Sequence, residues 1–236
     1  MNAPADWLVE LDTCPSTNTW ALEHLDQLSP GSVVYTQQQT GGRGRDGRAW
    51  ASPPGVLTAS LIVATPGPDP RLVALAAGLA VVHAIEDRCA GIELGIKWPN
   101  DVTLAGRKLG GILCEGRSGR VVVGCGVNLS ADLPAELVAT ATSLHQHAAP
   151  PPTLELLAAI RGYLLEGIGL LALRGLSPLL PQLRRRDVLQ GRRVTVDGRN
   201  GQLVGTGAGI DESGRLLVVV PGGGKAVIDA GHVTGW

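Results

Sequence analysis

The sequence contains no phenylalanine, and aromatic residues make up only 3% of its 236 positions. The core must therefore be built from Leu, Val, Ile and Ala, and the five Trp residues stand out as candidates for special positions. The net charge is −1, so no overall basic field attracts nucleic acid, and such binding would need a local patch. A hydrophobic content of 44% with 17% charged residues is typical of a globular protein.

Metal-binding cysteines and membrane segments are also missing from the pattern. The four cysteines form no CxxC pair and have no His nearby at zinc spacing, so we expect ordinary buried thiols. The N-terminus has no basic region followed by an apolar one. The longest apolar run, Leu72–Val82, is shorter than the roughly 20 residues that span a bilayer. We expect a cytoplasmic protein with no membrane partner.

The pattern of apolar residues predicts two units. In the first, helices are expected after a cap at Ser16 or Thr17 and over Pro70–Cys89, Thr153–Leu173 and Ser177–Arg186, and strands over Val33–Thr36, Val56–Ala64, Leu94–Trp98, Lys108–Glu115 and Val121–Leu129. From Gly191 onward, short β-rich runs alternate with the turn signals DGRNG, DESG and PGGGK. The sequence thus predicts an α+β domain over residues 1–187 and a small β-barrel over residues 188–236. A barrel of that size is marginal alone and should pack against the larger domain.

The strongest local signal is the segment Gly41–Arg48, which lies in a long polar stretch, Gln37–Pro54, that we interpret as a loop. Its glycines let the backbone approach a ligand, and its arginines are fixed cations that pair with phosphate or carboxylate oxygens. The segment therefore suits an anionic ligand such as a nucleotide. A solvated surface loop is the alternative that composition leaves open.

Two familiar nucleotide motifs are excluded. Gly42–Gly47 matches GxGxxG, but the following Pro53 and Pro54 cannot begin the helix that a dinucleotide fold requires. Gly222–Lys225 fails as a P-loop, because Ala226 stands where Ser or Thr must hold magnesium.

Two further segments place polar side chains next to strands. Lys97–Asp101 reads KWPND, where Trp-Pro makes a rigid corner and Asn-Asp turns the chain. Lys108 lies at the start of an apparently buried strand in GRKLGGIL. The alternatives are a solvated β-turn for the first segment and an edge residue for Lys108.

The order of the segments STN, QxxGRGRxGRxW, KWPNDV, GRKLGGIL and GxGxN resembles that of the biotin protein ligases over most of residues 16–129. The β-rich tail is similar to the small SH3-like domain of that family. The resemblance implies a mixed β-sheet flanked by helices, of the class II aminoacyl-tRNA synthetase-like type, with biotin over the sheet beneath an ordering loop.

The resemblance also implies roles for individual residues. The biotin site would be formed by Ser16, Thr17, Asn18, Gln39, Arg43, Gly44, Arg45 and Lys108. The nucleotide site would be formed by Arg43, Arg45, Arg48, Trp50, Asn100, Asp101, Gly126 and Asn128. Lys108, Arg45 and Asp101 are the expected catalytic residues, and no metal ligand is assigned. Asp46 departs from relatives that carry Arg in this loop, which could weaken retention of the intermediate.

The implied reaction uses ATP and Mg²⁺ to join biotin, through biotinyl-5′-AMP, to a lysine of the biotin carboxyl carrier protein of acetyl-CoA carboxylase. Because the STN segment begins at residue 16, we expect a ligase-only form that does not bind operator DNA. Several relatives dimerise through a sheet edge, and a homodimer is expected by that analogy.

Two alternatives remain open. A lipoate or octanoyl ligase of the same fold should lack the GRGRxGR loop together with KWPND. A nonenzymatic nucleic-acid-binding protein would need an excess of basic residues and aromatic side chains that stack on bases. The net charge is −1, and Trp236 is the only aromatic residue of the β-rich tail.

Overall fold

The computed structural model describes residues 6–64, 69–198 and 201–236. The first seven strands are β1 (Leu8–Cys14), β2 (Val33–Gln39), β3 (Val56–Ala64), β4 (Leu94–Lys97), β5 (Asp101–Leu104), β6 (Arg107–Arg117) and β7 (Arg120–Asn128). The helices are α1 (Thr17–Glu23), α2 (Pro70–Glu86), α3 (Thr153–Arg174) and α4 (Leu180–Arg186). The last five strands are β8 (Arg193–Gly198), β9 (Gly201–Ile210), β10 (Leu216–Val219), β11 (Lys225–Ile228) and β12 (His232–Gly235).

The large sheet has the strand order β1-β2-β3-β7-β6-β5-β4. β1 and β2 pair in parallel, and the other neighbours are antiparallel, so the sheet is mixed. α2 and α3 pack together on one face. α1 lies on the other face, where Ala21 and Leu25 form a small apolar cluster with Ile62 and Val122. A mixed sheet flanked by helices confirms the predicted α+β class.

Helix α3 is long and apolar enough, by length and composition alone, to cross a membrane, and it is the one such helix in the described part of the chain. It lies along α2 and against β3, and it buries Leu156, Leu157, Ile160 and Leu164 completely. These contacts are those of a core helix.

The C-terminal strands form an antiparallel sheet in the order β11-β10-β9-β8-β12, which confirms the predicted all-β unit. Its inner residues Val194, Leu216 and Val233 belong to the same core cluster as α2. The indole nitrogen of Trp98 also donates to the carbonyl of Gly214 at 3.0 Å. The two units therefore share one core, as a small β unit requires. The boundary at residue 188 and the closure of a barrel stay predictions.

Several element boundaries differ from the sequence expectation. β2 extends to Gln39, so the predicted loop start at Gln37 is wrong by three residues, because Gln38 and Gln39 pair with Thr13 and Cys14 of β1. Neither β1 nor β5 was predicted. β1 pairs with β2, which is distant in sequence, and β5 is a short strand that forms a hairpin with β4. The centre of the DGRNG turn, at residues 199–200, and the break at residues 66–68 lie outside the described residues.

Candidate active site

The floor of the site is the face of the large sheet that also carries α1. Alternate side chains of β3 face this side, so Ile62 packs under α1 whereas Ser60 and Thr58 continue the row beyond it. Opposite them on β7 lie Gly124 and Gly126. A Cβ atom at Gly124 would come within 2.5 Å of Asn18 Oδ1, and one at Gly126 within 2.5 Å of the Trp50 ring. Because these two positions have no side chain, Asn18 and the Trp50 ring lie directly on the sheet.

One end of the cavity is lined by neutral hydrogen-bonding groups. Ser16 caps α1, and the residues after it turn toward the sheet, where Ser60 Oγ donates to Asn18 Oδ1 at 2.6 Å and lies 2.8 Å from the hydroxyl oxygen of Thr17. Gln39 Oε1 accepts from the Thr17 backbone N–H at 3.0 Å. Ser16, Thr17, Asn18 and Ser60 are almost fully buried, so this end has a fixed pattern of donors and acceptors.

The other end of the cavity is charged. Lys108 Nζ lies 2.6 Å from Asp101 Oδ1, and the same nitrogen lies 5.4 Å from the centre of the Trp50 ring. Asn100 is fixed by donating to the Ile112 carbonyl at 2.7 Å, and its Oδ1 accepts from Arg45 Nη1 at 3.3 Å. Two cations, an amide and a carboxylate therefore meet where β5 and β6 begin.

The glycine- and arginine-rich loop lies over this cavity, and its arginines contact four different parts of the molecule. Arg43 pairs with Glu115 at 3.2 Å and donates to Thr19, Arg45 reaches Asn100, and Arg48 reaches His232. Within the loop, the Gly44 N–H donates to the Arg48 carbonyl at 2.7 Å, and Asp46 adopts a left-handed conformation with φ 56°. Asp46 is exposed and does not line the cavity.

A second cavity continues from the charged end toward the C-terminal sheet. The residues lining both cavities are Arg48, Ala49, Trp50, Asp101, Lys108 and His232. The second cavity adds Lys97, Arg192, Trp236 and the buried Asn128, whose amide donates to the Thr142 carbonyl at 3.0 Å. The Trp236 ring lies between Lys97 Nζ at 5.5 Å and Arg192 Cζ at 5.3 Å. This space is strongly cationic, with Asp101 as the one carboxylate lining either cavity in the described part of the chain.

Burial and charge shift the titration of several groups here. Burial lowers the pKa of Lys97, and the nearby cations Lys108 and Arg48 lower it further, while Asp101 opposes them. Burial raises the pKa of the Cys125 thiol, in the floor of the first cavity, to about 12. Cys125 is therefore a protonated, inert thiol, and all four cysteines are free.

All fourteen residues that the resemblance assigned to the biotin and nucleotide sites lie in this region. Thirteen of them line the first cavity: Ser16, Thr17, Asn18, Gln39, Arg43, Gly44, Arg45, Arg48, Trp50, Asn100, Asp101, Lys108 and Gly126. Asn128 lines the second cavity. Sequence reasoning missed Glu115, Ser60 and His232. Ser60 and Glu115 belong to ordinary strand patterns, and His232 comes from the C-terminal sheet, so no local signal marks them. Lys97 was quoted within KWPND but not assigned a role.

The described residues do not fit a resident metal site. Among residues 6–64, 69–198 and 201–236, no three His, Cys, Asp or Glu side chains lie together as potential ligands. Asp101, the carboxylate of the cavities, is already paired with Lys108.

This arrangement, a mixed sheet with a glycine floor, a neutral hydrogen-bonding end and a cationic end beneath an arginine loop, is that of an enzyme that binds a small acid beside a phosphate. The model of the Biotin/lipoate A/B protein ligase family matches residues 10–132, more than half of the chain. The chain belongs to this family.

Individual relatives are similar over nearly the whole chain. The biotin–[acetyl-CoA-carboxylase] ligase of Mycobacterium tuberculosis is 37% identical over 95% of this chain and 88% of its own length. The bifunctional ligase/repressor BirA of Bacillus subtilis is 34% identical over 94% of this chain and 72% of its own length. The biotin protein ligase of Aquifex aeolicus in complex with biotin and ATP has a TM-score of 0.89 and 26% identity, and covers 98% of both chains. The resemblance to biotin protein ligases is therefore confirmed.

Proposed function

We propose that this chain activates biotin with ATP and transfers it to one lysine of a biotin carboxyl carrier protein. The observation that carries the proposal is the convergence of five separate sequence segments on one cavity with a neutral end and a cationic end. A two-ended ligand, with a polar ring system at one end and a carboxylate at the other, matches that division.

The neutral end is suited to the ureido ring of biotin. A urea group presents both N–H donors and a carbonyl acceptor. The buried Ser16, Thr17 and Asn18 and the half-buried Gln39 provide both kinds of partner. A buried polar group that finds no partner costs about 1–3 kcal/mol, so these residues disfavour an apolar ring at this end.

The cationic end is suited to the first chemical step. The biotin carboxylate attacks the α-phosphorus of ATP, a P–O bond to pyrophosphate breaks, and biotinyl-5′-AMP forms. Two anions must approach each other, and Lys108 and Arg45 provide positive charge where they meet. Trp50 lies over Gly126 between the two cavities, and its buried indole N–H has no acceptor within the described residues. A nucleotide oxygen would supply that acceptor.

In the second step, a lysine amine of the carrier attacks the acyl carbon and AMP leaves. Asp101 faces both cavities, so it can orient the incoming ammonium group or accept its proton. The loop Gly41–Arg48 covers the cavity and keeps water from the mixed anhydride.

The partners of the reaction follow from this chemistry. Mg²⁺ enters with ATP, coordinated by the phosphate oxygens, as is common for this ion. A cytoplasmic location is proposed because ATP and carboxylase carriers are found there. A homodimer stays a prediction by analogy with relatives.

A lipoate or octanoyl ligase is the second candidate, because the matching family model includes both types of acid. The buried polar groups at the neutral end favour biotin over a dithiolane ring or an alkyl chain.

The test is incubation of the purified protein with ATP, magnesium, a carrier domain and either biotin or lipoate. We expect one streptavidin-reactive adduct on one carrier lysine, pyrophosphate release with biotin, and no product with lipoate. Transfer of lipoate but not biotin would overturn the assignment in favour of the second candidate.

A further inference from the structure

His232 is the one residue of the C-terminal sheet that lines the first cavity, among the residues that the structure describes. It begins β12, at the end of the chain most distant in sequence from the arginine loop. It is half-buried and also lines the second cavity. The imidazole therefore lies at the junction of the two cavities and of the two units.

The contact between His232 and the loop defines the state of the imidazole. Arg48 Nη1 lies 3.0 Å from His232 Nε2. A guanidinium has donors only, so Nε2 must be the acceptor, and the ring must be neutral with its proton on Nδ1. Because Nε2 is occupied by Arg48, His232 is not free to act as a general base in this arrangement.

The surroundings favour the neutral ring. Burial lowers the pKa of His232 most, and the cations Arg48, Lys97 and Lys108 lower it further. Asp101 is the one facing group that raises it. The ring is therefore neutral at pH 7, and it takes up a proton only below the ordinary histidine pKa of about 6.5.

Arg48 also lies near the carboxylate of Asp46, on the side of the loop away from His232. Its Nη2 lies 3.8 Å from Asp46 Oδ2, and Asp46 is two-thirds exposed at the outer side of the loop. His232 holds the guanidinium on the side of the cavities, whereas Asp46 attracts it toward solvent. A surface pair of this kind is weak, so a single inward hydrogen bond decides the position.

We propose that His232 is a positioning residue that holds Arg48 over the nucleotide phosphates, and that protonation of His232 releases Arg48 toward Asp46. The inference rests on the proposed function, because it assigns Arg48 to phosphate binding. Protonated His232 offers no acceptor at Nε2 and repels Arg48, so the inward contact is lost. The C-terminal unit thereby contributes to ATP binding through a side chain of the loop.

The first test compares His232→Gln, His232→Leu and wild type between about pH 5 and 8, the range in which histidine titrates. Glutamine keeps an acceptor near the position of Nε2 and does not titrate, whereas leucine has no acceptor. In wild type, KM for ATP should rise as the pH falls, with kcat changing less. His232→Gln should lose this step. His232→Leu should have a KM for ATP that does not change across this pH range and lies about tenfold above that of wild type at pH 8, as expected for loss of one hydrogen bond to a charged group. At pH 5 the KM of wild type should approach that of His232→Leu.

A double-mutant cycle then separates positioning from a purely structural role. Arg48→Ala should raise KM for ATP, and adding His232→Leu to it should have no further effect, because both changes remove the same contact. Fully additive effects would show that His232 acts without Arg48. His145→Ala is the matched control, since His145 is exposed and lines neither cavity, and it should leave the pH step intact.

NMR titration of the imidazole gives a readout that does not depend on activity. The His232 signal, assigned by its loss in His232→Gln, should titrate at higher pH in Arg48→Ala than in wild type. An unchanged titration, or a KM for ATP in His232→Leu equal to that of wild type at pH 8, overturns the proposal. If wild type biotinylates no carrier domain, the proposed function fails instead, and the titration still decides whether Arg48 and His232 are coupled.

Discussion

At the scale of single residues, the contacts of Lys108 distinguish an edge residue of the sheet from a charge positioned in the cavity. An edge residue would direct its ammonium group into solvent, but Lys108 Nζ contacts Asp101 at 2.6 Å and the face of Trp50. The side chain is 36% exposed, and the β5–β6 pairing shifts register beside it, between Val102 and Thr103. A bulge re-aims side chains, and here it lets Lys108 point into the cavity. The geometry is that of a positioned charge.

Replacing Lys108 by Ala should therefore slow adenylate formation more than transfer. We expect a loss of about two orders of magnitude in pyrophosphate exchange, as for removal of one positioned electrostatic group. Supplying biotinyl-5′-AMP should restore most of the transfer to carrier. Lys225→Ala, at an exposed position of β11, is the control and should behave as wild type. An equal defect from premade adenylate would show that the role assigned to Lys108 is wrong.

At the scale of elements, the loop Gly41–Arg48 has few internal contacts of its own. Its inner backbone hydrogen bonds join Gly44 to Arg48 and Arg48 to Arg45. At its start, the Gly41 N–H donates to the Pro15 carbonyl and the Gly42 carbonyl accepts from the Trp50 N–H. Its remaining attachments are arginine contacts with other elements. Exposed ion pairs contribute little, about 0–1 kcal/mol each, whereas ordering a residue costs about 1 kcal/mol or more. Contacts with a bound anion must supply the difference, so closure of the loop should depend on ligand.

Limited digestion with trypsin should reveal this dependence. Without ligand, the first cut should fall after Arg43, Arg45 or Arg48, and mass spectrometry identifies the site. Biotin should slow the cut, and biotin with ATP should slow it more, because the adenylate pairs with more of the arginines. A cut elsewhere in the chain at an unchanged rate serves as the internal control. Equal cleavage of the loop at saturating ligand would show that it does not close over the site.

At the scale of the whole molecule, the helices behind the sheet meet around His83. This α2 side chain packs edge to face against Tyr163 of α3 and lies near Arg186 and Gln182 of α4. Burial lowers the pKa of His83 most, and Arg186 lowers it further, while Glu86 and Asp87 raise it. The helical layer is therefore built around a neutral imidazole.

Acidification should weaken the fold for this reason. The folded state lowers the pKa of His83 below its unfolded value of about 6.5, so the unfolded state binds more protons in the window below that pH. Stability is present in full above the unfolded pKa and is lost as the pH falls through the folded one. Urea unfolding at several pH values should show this decline, and His83→Gln should flatten it. The same change at the exposed His147 should leave the decline as it is in wild type.

Features that depend on neighbouring residues were predicted from the sequence, whereas features that depend on contacts between distant residues were not. The strand Val56–Ala64 is predicted to the residue, because a nine-residue apolar run between turns has few other outcomes. β1 escaped prediction because its partner is β2, which follows it only after α1 and a further turn. The site motifs were recognisable because each one is a short continuous segment of the sequence. Glu115 and Ser60 were not, since each acquires a role only from the side chain that faces it.

The sequence by itself determined the fold class, the arginine loop and thirteen of the residues that line the first cavity, because propensity, turn chemistry and short motifs are properties of neighbouring positions. Only the tertiary structure decided how these pieces act together. Antiparallel pairing of β3 with β7 placed Ser60 and Thr58 beside the glycines that form the floor. Packing of the C-terminal sheet on the shared core brought His232 to Arg48, 184 positions away along the chain. Contacts across such separations arise from the packing of whole elements, and no local pattern encodes them.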